Sequence, residues 1–113
     1  MWKGGAPVET VRVKRAIQLH PDDTVAVVVE AVEAGEAIEL FGEGAGPGPR
    51  AVEPIPYGHK VAIKPMEAGA PVIKYGEAMG IATQAIGVGA HVHVHNVRGL
   101  ESQERGGILR GSL

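Results

Sequence analysis

At 113 residues the chain makes one small domain, long enough to bury a real core without staples and too short for a second domain of typical size. It has no cysteine, which excludes a disulfide framework, a thiolate metal site and a cysteine nucleophile, and fits a cytoplasmic location. The net charge of -2, with basic residues scattered among acids and few aromatics, argues against nucleic acid as a partner, and the lack of a long apolar run or a leader-like start argues against a membrane.

Seventeen glycines and eight prolines alongside abundant Val and Ile predict an all-β body of short strands separated by tight turns. Residues 1–10 read as a flexible lead-in. Between Val11 and Leu19 the apolar residues Val11, Val13, Ile17 and Leu19 alternate with mostly polar ones, which predicts a first strand with that set facing inward. His20-Pro21-Asp22-Asp23 is a turn by composition, its aspartates bonding back to nearby N–H groups. Thr24 to Val29 is nearly all apolar and β-branched, as a strand buried on both faces requires. Glu30 to Gly35 reads either as one helical turn closed by glycine or as a plain or 3₁₀ turn, and Ala37 to Phe41 as another strand. The tract Gly42 to Pro49 has no periodicity and predicts a flexible loop; it lacks the Lys-Ser/Thr ending of a phosphate loop. The domain spans 11–97, and residues 98–113 form an extension, partly ordered or docked on a partner.

Three stretches repeat one another. Val25-Ala26-Val27 leads to Gly35 and Ile38, Val61-Ala62-Ile63 to Gly69 and Val72, and Gly80-Ile81-Ala82 to Gly89 and Val92. Each reads as strand, turn, glycine, strand, with the glycine supplying a positive φ at the turn exit. The spacing varies too much for a solenoid and suits a barrel-like or clip-like body.

Three of the five histidines lie in His91-Val92-His93-Val94-His95-Asn96. As a strand, this segment puts the three imidazoles on one face and Val92 and Val94 into the core. Imidazole is a frequent metal ligand, and a His-x-His pair such as His93 and His95 can share an ion. The outer two sit ~13 Å apart in an extended strand, so this segment holds at most part of a site, completed by His59, a carboxylate or another chain. A substrate- or partner-contacting face and a plain polar face are the alternatives. The turns Tyr57-Gly58-His59-Lys60 and Lys74-Tyr75-Gly76-Glu77 present side chains at their tips and could offer free N–H groups to a carboxylate, or be ordinary turns. No Ser-His-Asp arrangement is defensible, since Ser102 and Ser112 lie in the extension.

His20 to Val27, Gly58 to Ile63, Val72 to Glu77, Gly80 to Ala82 and His91 to Asn96, in that order, resemble the SAF domain of the altronate and galactarate dehydratases over roughly residues 12–97. The resemblance implies a β-clip fold. In that family the domain accompanies a larger catalytic region that removes water from a sugar acid using a divalent metal, Fe2+, Mn2+ or Mg2+. The His-Val-His-Val-His-Asn ending is closer to the altronate branch and to the small subunit of sulfolactate sulfo-lyase.

The resemblance therefore implies a small subunit or an excised domain, inactive alone, that shares a site with a large catalytic dehydratase subunit, with homo-oligomerisation left open. His59, His91 and His93 are the candidate catalytic residues, Lys74, Tyr75 and Gly76 the candidate substrate contacts, and His93 and His95 the candidate metal ligands. A non-catalytic acidic-sugar binding module and an assembly domain are the competing functions.

Overall fold

In the computed structural model, which describes residues 13–104, the β-branched run after the His20–Asp23 turn forms the spine of the domain. That strand, β2 (Val25–Val28), lies between β1 (Val13–Gln18) and β5 (Lys60–Ala62), antiparallel to both. β3 (Ala37–Gly42) runs parallel to β1 on its other side, β4 (Gly46–Arg50) closes that edge, and β8 (His91–Val92) pairs with β5 at the opposite edge. A second sheet holds β6 (Pro71–Lys74), β7 (Glu77–Ala82) and β9 (Val97–Arg98). The fold is the all-β clip expected from the sequence.

Because side chains alternate along a strand, β2 and β5 feed two cores at once. Ala26, Val28 and Val61 pack with Ala16, Val32, Ile38, Leu40 and Ile55. Val25 and Ala62 pack instead with Met66, Val72, Ala82, Ile86 and Val92. Each fully buried Val or Ile contributes about 1.5–3 kcal/mol by leaving water.

Among the described residues the repeat seen in the sequence occurs four times. Gly35, Gly58, Gly69 and Gly89 all have φ between 80° and 92°. Each donates its N–H to a buried residue at or just beyond a strand end, respectively Ala51, Val28, Ala82 and Ala62, and each of those donates back to the residue after the glycine. The turns meet in pairs through reciprocal N–H to carbonyl bonds, Val32 with Ile55 and Met66 with Ile86, one pair above each core. The Glu30–Gly35 tract is thus a turn and not a helical one.

Asp23 is fully buried and closes the first turn as expected. Its carboxylate accepts the N–H groups of Leu19 and His20 through one oxygen and of Gly76 through the other, tying the first turn to the β6–β7 hairpin. That hairpin turns on Tyr75 and Gly76, both at positive φ (55° and 82°), the type I′ pattern that matches strand twist.

Two expectations need correction. Gly42–Pro49 is not a loop throughout: Gly46–Arg50 is paired with β3, and an edge position tolerates its prolines. A side chain at Gly48 would come within 2.9 Å of Leu40, so glycine is what lets this strand close on β3. In β1 the inward face is the other one: Ala16 and Gln18 are buried, while Val13 and Leu19 are half exposed, because Ala16 must face the Val28 side of β2. Val11 lies outside the described residues. β9 spans residues 97 and 98, and Arg98 is held further by Glu104.

Candidate functional site

His59 ends the turn that carries Gly58, its N–H donating to Pro56, and so arrives at the start of β5 directly opposite β8. β5 and β8 pair Lys60 with Val92 and Val61 with His91, which brings His59 and His91 together from 32 residues apart. His59 Nδ1 lies 2.8 Å from His91 Nε2, and the ring of His93 stacks on His59 with centroids 4.1 Å apart. One ring nitrogen from each of His59, His91 and His93 lies within 4.8 Å of the others.

The motif reaches this arrangement by a route the alternation did not indicate. Only His91 and Val92 are strand; from His93 to Asn96 the chain turns, with Asn96 donating its N–H to the His93 carbonyl. The amide of Asn96, almost fully buried, accepts from the His93 N–H and donates to the His91 carbonyl. Val92 is buried as expected, but Val94 is 81% exposed because the turn swings it outward. The same turn folds His95 back, so its ring lies 5.2 Å from that of His91 instead of at the far end of an extended strand. Four imidazoles thus cluster, with His91 against the other three rings, His59, the suggested outside ligand, stacked on His91 and His93, and His95 at the margin.

The environment favours neutral rings. Burial pushes His91 below the ordinary histidine range, reinforced by the neighbouring imidazoles of His59, His95 and His93, with Glu53 acting weakly the other way. His93 is lowered by burial, by His59 and by the ammonium of Lys60. The shared proton of the His59–His91 contact requires one ring to donate and the other to accept. His93 Nδ1 is buried with no hydrogen-bond partner among the described residues, an open lone pair or donor facing protein. A neutral, preassembled, all-nitrogen set with one unsatisfied nitrogen is a suitable host for a late first-row divalent metal, and an unsuitable one for Mg2+, which takes oxygen ligands.

The second expected turn contributes differently. Lys74 stands at the end of β6, close enough to Lys60 for their charges to repel, with its ammonium 5.3 Å from the centre of the Tyr75 ring. The Gly76 N–H is not free for a ligand, since Asp23 takes it, and the Gly58 N–H goes to Val28. Gly76 is required by packing, since a Cβ there would meet the His20 ring at 2.8 Å. Two neighbours of the cluster are given no role of their own in the sequence reading: Asn96, which shapes the cluster, and Lys60, half-buried beside His93. Lys60 is marked only as the end of a turn, and the cross-strand register is what sets it beside His93; Asn96 is marked only by closing the motif.

A profile of the family described as the altronate/galactarate dehydratase SAF domain matches residues 14–100. The chain belongs to this SAF-domain family. It is 31% identical over 85 residues to altronate dehydratase of Bacillus subtilis (strain 168), an alignment that covers 75% of this chain and 16% of the relative. It is 41% identical over 80 residues to (2R)-sulfolactate sulfo-lyase subunit alpha of Chromohalobacter salexigens, covering 68% of this chain and 85% of the relative. Altronate dehydratase of Escherichia coli (strain K12) matches at 34% identity over 82 residues, 73% of this chain and 16% of that protein. The chain therefore spans a small fraction of the dehydratases and most of the sulfo-lyase subunit. Among the described residues no helix is long and apolar enough to cross a membrane.

Proposed function

We propose that this chain is the SAF component of a sugar-acid dehydratase of the altronate type, working with a large catalytic subunit and contributing His59, His91 and His93 to a shared site. The observation that carries the proposal is the convergence of those three partly buried imidazoles, with a ring nitrogen of each within 4.8 Å of the others. Eliminating water from a 2,3-dihydroxy acid needs a base for the proton beside the carboxylate and an acid for the departing hydroxyl. The His59–His91 pair is suited to proton traffic, because the 2.8 Å contact between their ring nitrogens holds one shared proton. Asn96 and Glu53 keep the rings in register through the backbone of His91 and His93.

A divalent metal bound to these histidines, Fe2+ being the one of the expected ions that imidazole suits, would supply Lewis acidity for the leaving group. His93 fits as a ligand through its unsatisfied environment, and His95, against His91, fits as a reserve ligand or an orienting neighbour. The three histidines are only partly buried and no carboxylate joins the set among the described residues, which supports a catalytic partner completing it.

A second reading, elimination of sulfite from sulfolactate, is favoured by the extent of the match to the sulfo-lyase subunit alpha. Both readings place the same histidines beside a carboxylate-bearing substrate. The test is reconstitution with the large dehydratase-type subunit of the source organism and assay on altronate and (2R)-sulfolactate. Turnover by the complex and by neither protein alone is the expected result, and turnover by this chain alone contradicts it.

A further inference from the structure

Lys60 is half-buried on β5, and among the described residues no carboxylate pairs with it. The charged groups around it are of its own sign: Lys74 repels it, and Arg98 is already committed to Glu104 through two hydrogen bonds. Lys60 and His93 together line a cavity of about 210 Å³ whose other walls are mainly apolar, from Met79, Val94 and Val97, with Arg98 at the rim. A cation partly removed from water with no counter-ion is costly, and an apolar wall leaves its field poorly screened. The cavity is smaller than the roughly 300–1,000 Å³ of a complete ligand pocket, so it suits one end of a molecule.

We propose that this cavity is the carboxylate subsite of the enzyme: Lys60 holds the carboxylate of a 2-hydroxy acid, and His93, which lines the same cavity and belongs to the imidazole cluster, meets the carbon chain beside it. The proposal rests on the lyase reading and assigns Lys60, in place of Lys74, as the residue that anchors the acid end. A carboxylate in this position neutralises a half-buried cation that has no carboxylate partner among the described residues, and its attached carbon chain then lies on the side of the histidines.

The test is titration of the full chain with D-glycerate, read by amide chemical shifts, with glycerol as the uncharged control and inorganic sulfate as the generic anion. Saturable millimolar binding is expected, with shifts concentrated at Lys60, Val94 and Gly99, none from glycerol and weaker ones from sulfate. Lys60→Met should weaken glycerate binding by about tenfold or more, Lys60→Arg should retain most of it, and Lys64→Met, whose ammonium is bonded to the Pro21 carbonyl, should leave it unchanged. If Lys60→Met does not fold, Lys60→Gln reads the same loss. Binding that is equal in the Lys60 variants, equal for sulfate, absent, or located elsewhere overturns the subsite. A reconstituted complex inactive on altronate and on (2R)-sulfolactate overturns the lyase reading instead, and leaves the binding result standing.

Discussion

His59 Nδ1 and His91 Nε2 sit 2.8 Å apart, one at the exit of a glycine turn and the other at the start of an edge strand, with only one proton between them. Two protonated rings cannot coexist at that distance without strong repulsion. The pair is therefore built to stay neutral or to carry a single charge, which is the state in which imidazole binds a metal or accepts a proton.

Metal affinity should follow from this set. Titration of the full chain with Co2+, read by its visible absorption, should show one site with nitrogen ligation. His59→Gln, His91→Gln and His93→Gln should each weaken binding by at least about tenfold, and His95→Gln should weaken it less, since His95 is not among the three converging nitrogens. Equal loss from all four would mean that the site is the whole motif and not the triad.

Stability should fall on mild acidification. His91 and His93 have folded pKa values below the unfolded value of about 6.5, so below that pH the unfolded chain binds more protons than the folded one. Stability is level above about pH 7 and drops as pH falls through the unfolded value toward the folded ones. Thermal melts at pH 7.5 and 5.5 should differ in that direction, and the double variant His91→Gln, His93→Gln should flatten the difference. The Arg98–Glu104 pair acts in a lower window: Glu104 is held down to about 2 by Arg98, so its contribution is present above the ordinary glutamate range and disappears only in strong acid.

Asn96→Ala should be costly for a residue with no chemistry of its own. It removes the acceptor for the His93 N–H and the donor to the His91 carbonyl at a nearly fully buried position. The expected loss is about 2–3 kcal/mol, measured by urea unfolding, together with weakened metal binding because the 93–96 turn loosens. Unchanged metal affinity in a destabilised variant would separate the turn from the site.

Much of the clip was legible because its signals are local. The β-branched run at 24–29, the turn at His20–Asp23 and the glycines at turn exits follow from residue type and spacing. The errors came where a neighbour decides. The face of β1 was set by Ala16 having to fit beside Val28, against the alternation of Val13, Ile17 and Leu19. The strand at Gly46–Arg50 exists because β3 offers an edge, although its own sequence resists a strand. In the histidine motif, period-two spacing identified the residues, but the buried Asn96 bent them into a cluster. Lys60 became visible only once β5 and β8 were in register.

Tyr75 carries a strain that the sequence also concealed. It is the one non-glycine residue at positive φ among the described residues, in a turn position where asparagine is preferred. Tyr75→Asn should stabilise the domain by roughly 1 kcal/mol, seen as a higher urea midpoint with unchanged slope. If Tyr75 contacts substrate in the assembled enzyme, the same variant should raise KM. A stabilised variant with unaltered KM would make Tyr75 a turn residue alone.

The central claim is that this domain brings working imidazoles to a site completed by a larger partner. The most direct measurement is turnover per assembled complex for His93→Gln, with complex formation quantified separately by analytical ultracentrifugation. The account predicts assembly at the wild-type level with turnover lowered by about 100-fold or more. Wild-type turnover per complex, whether or not assembly is weakened, would contradict it and leave the histidines as contact residues.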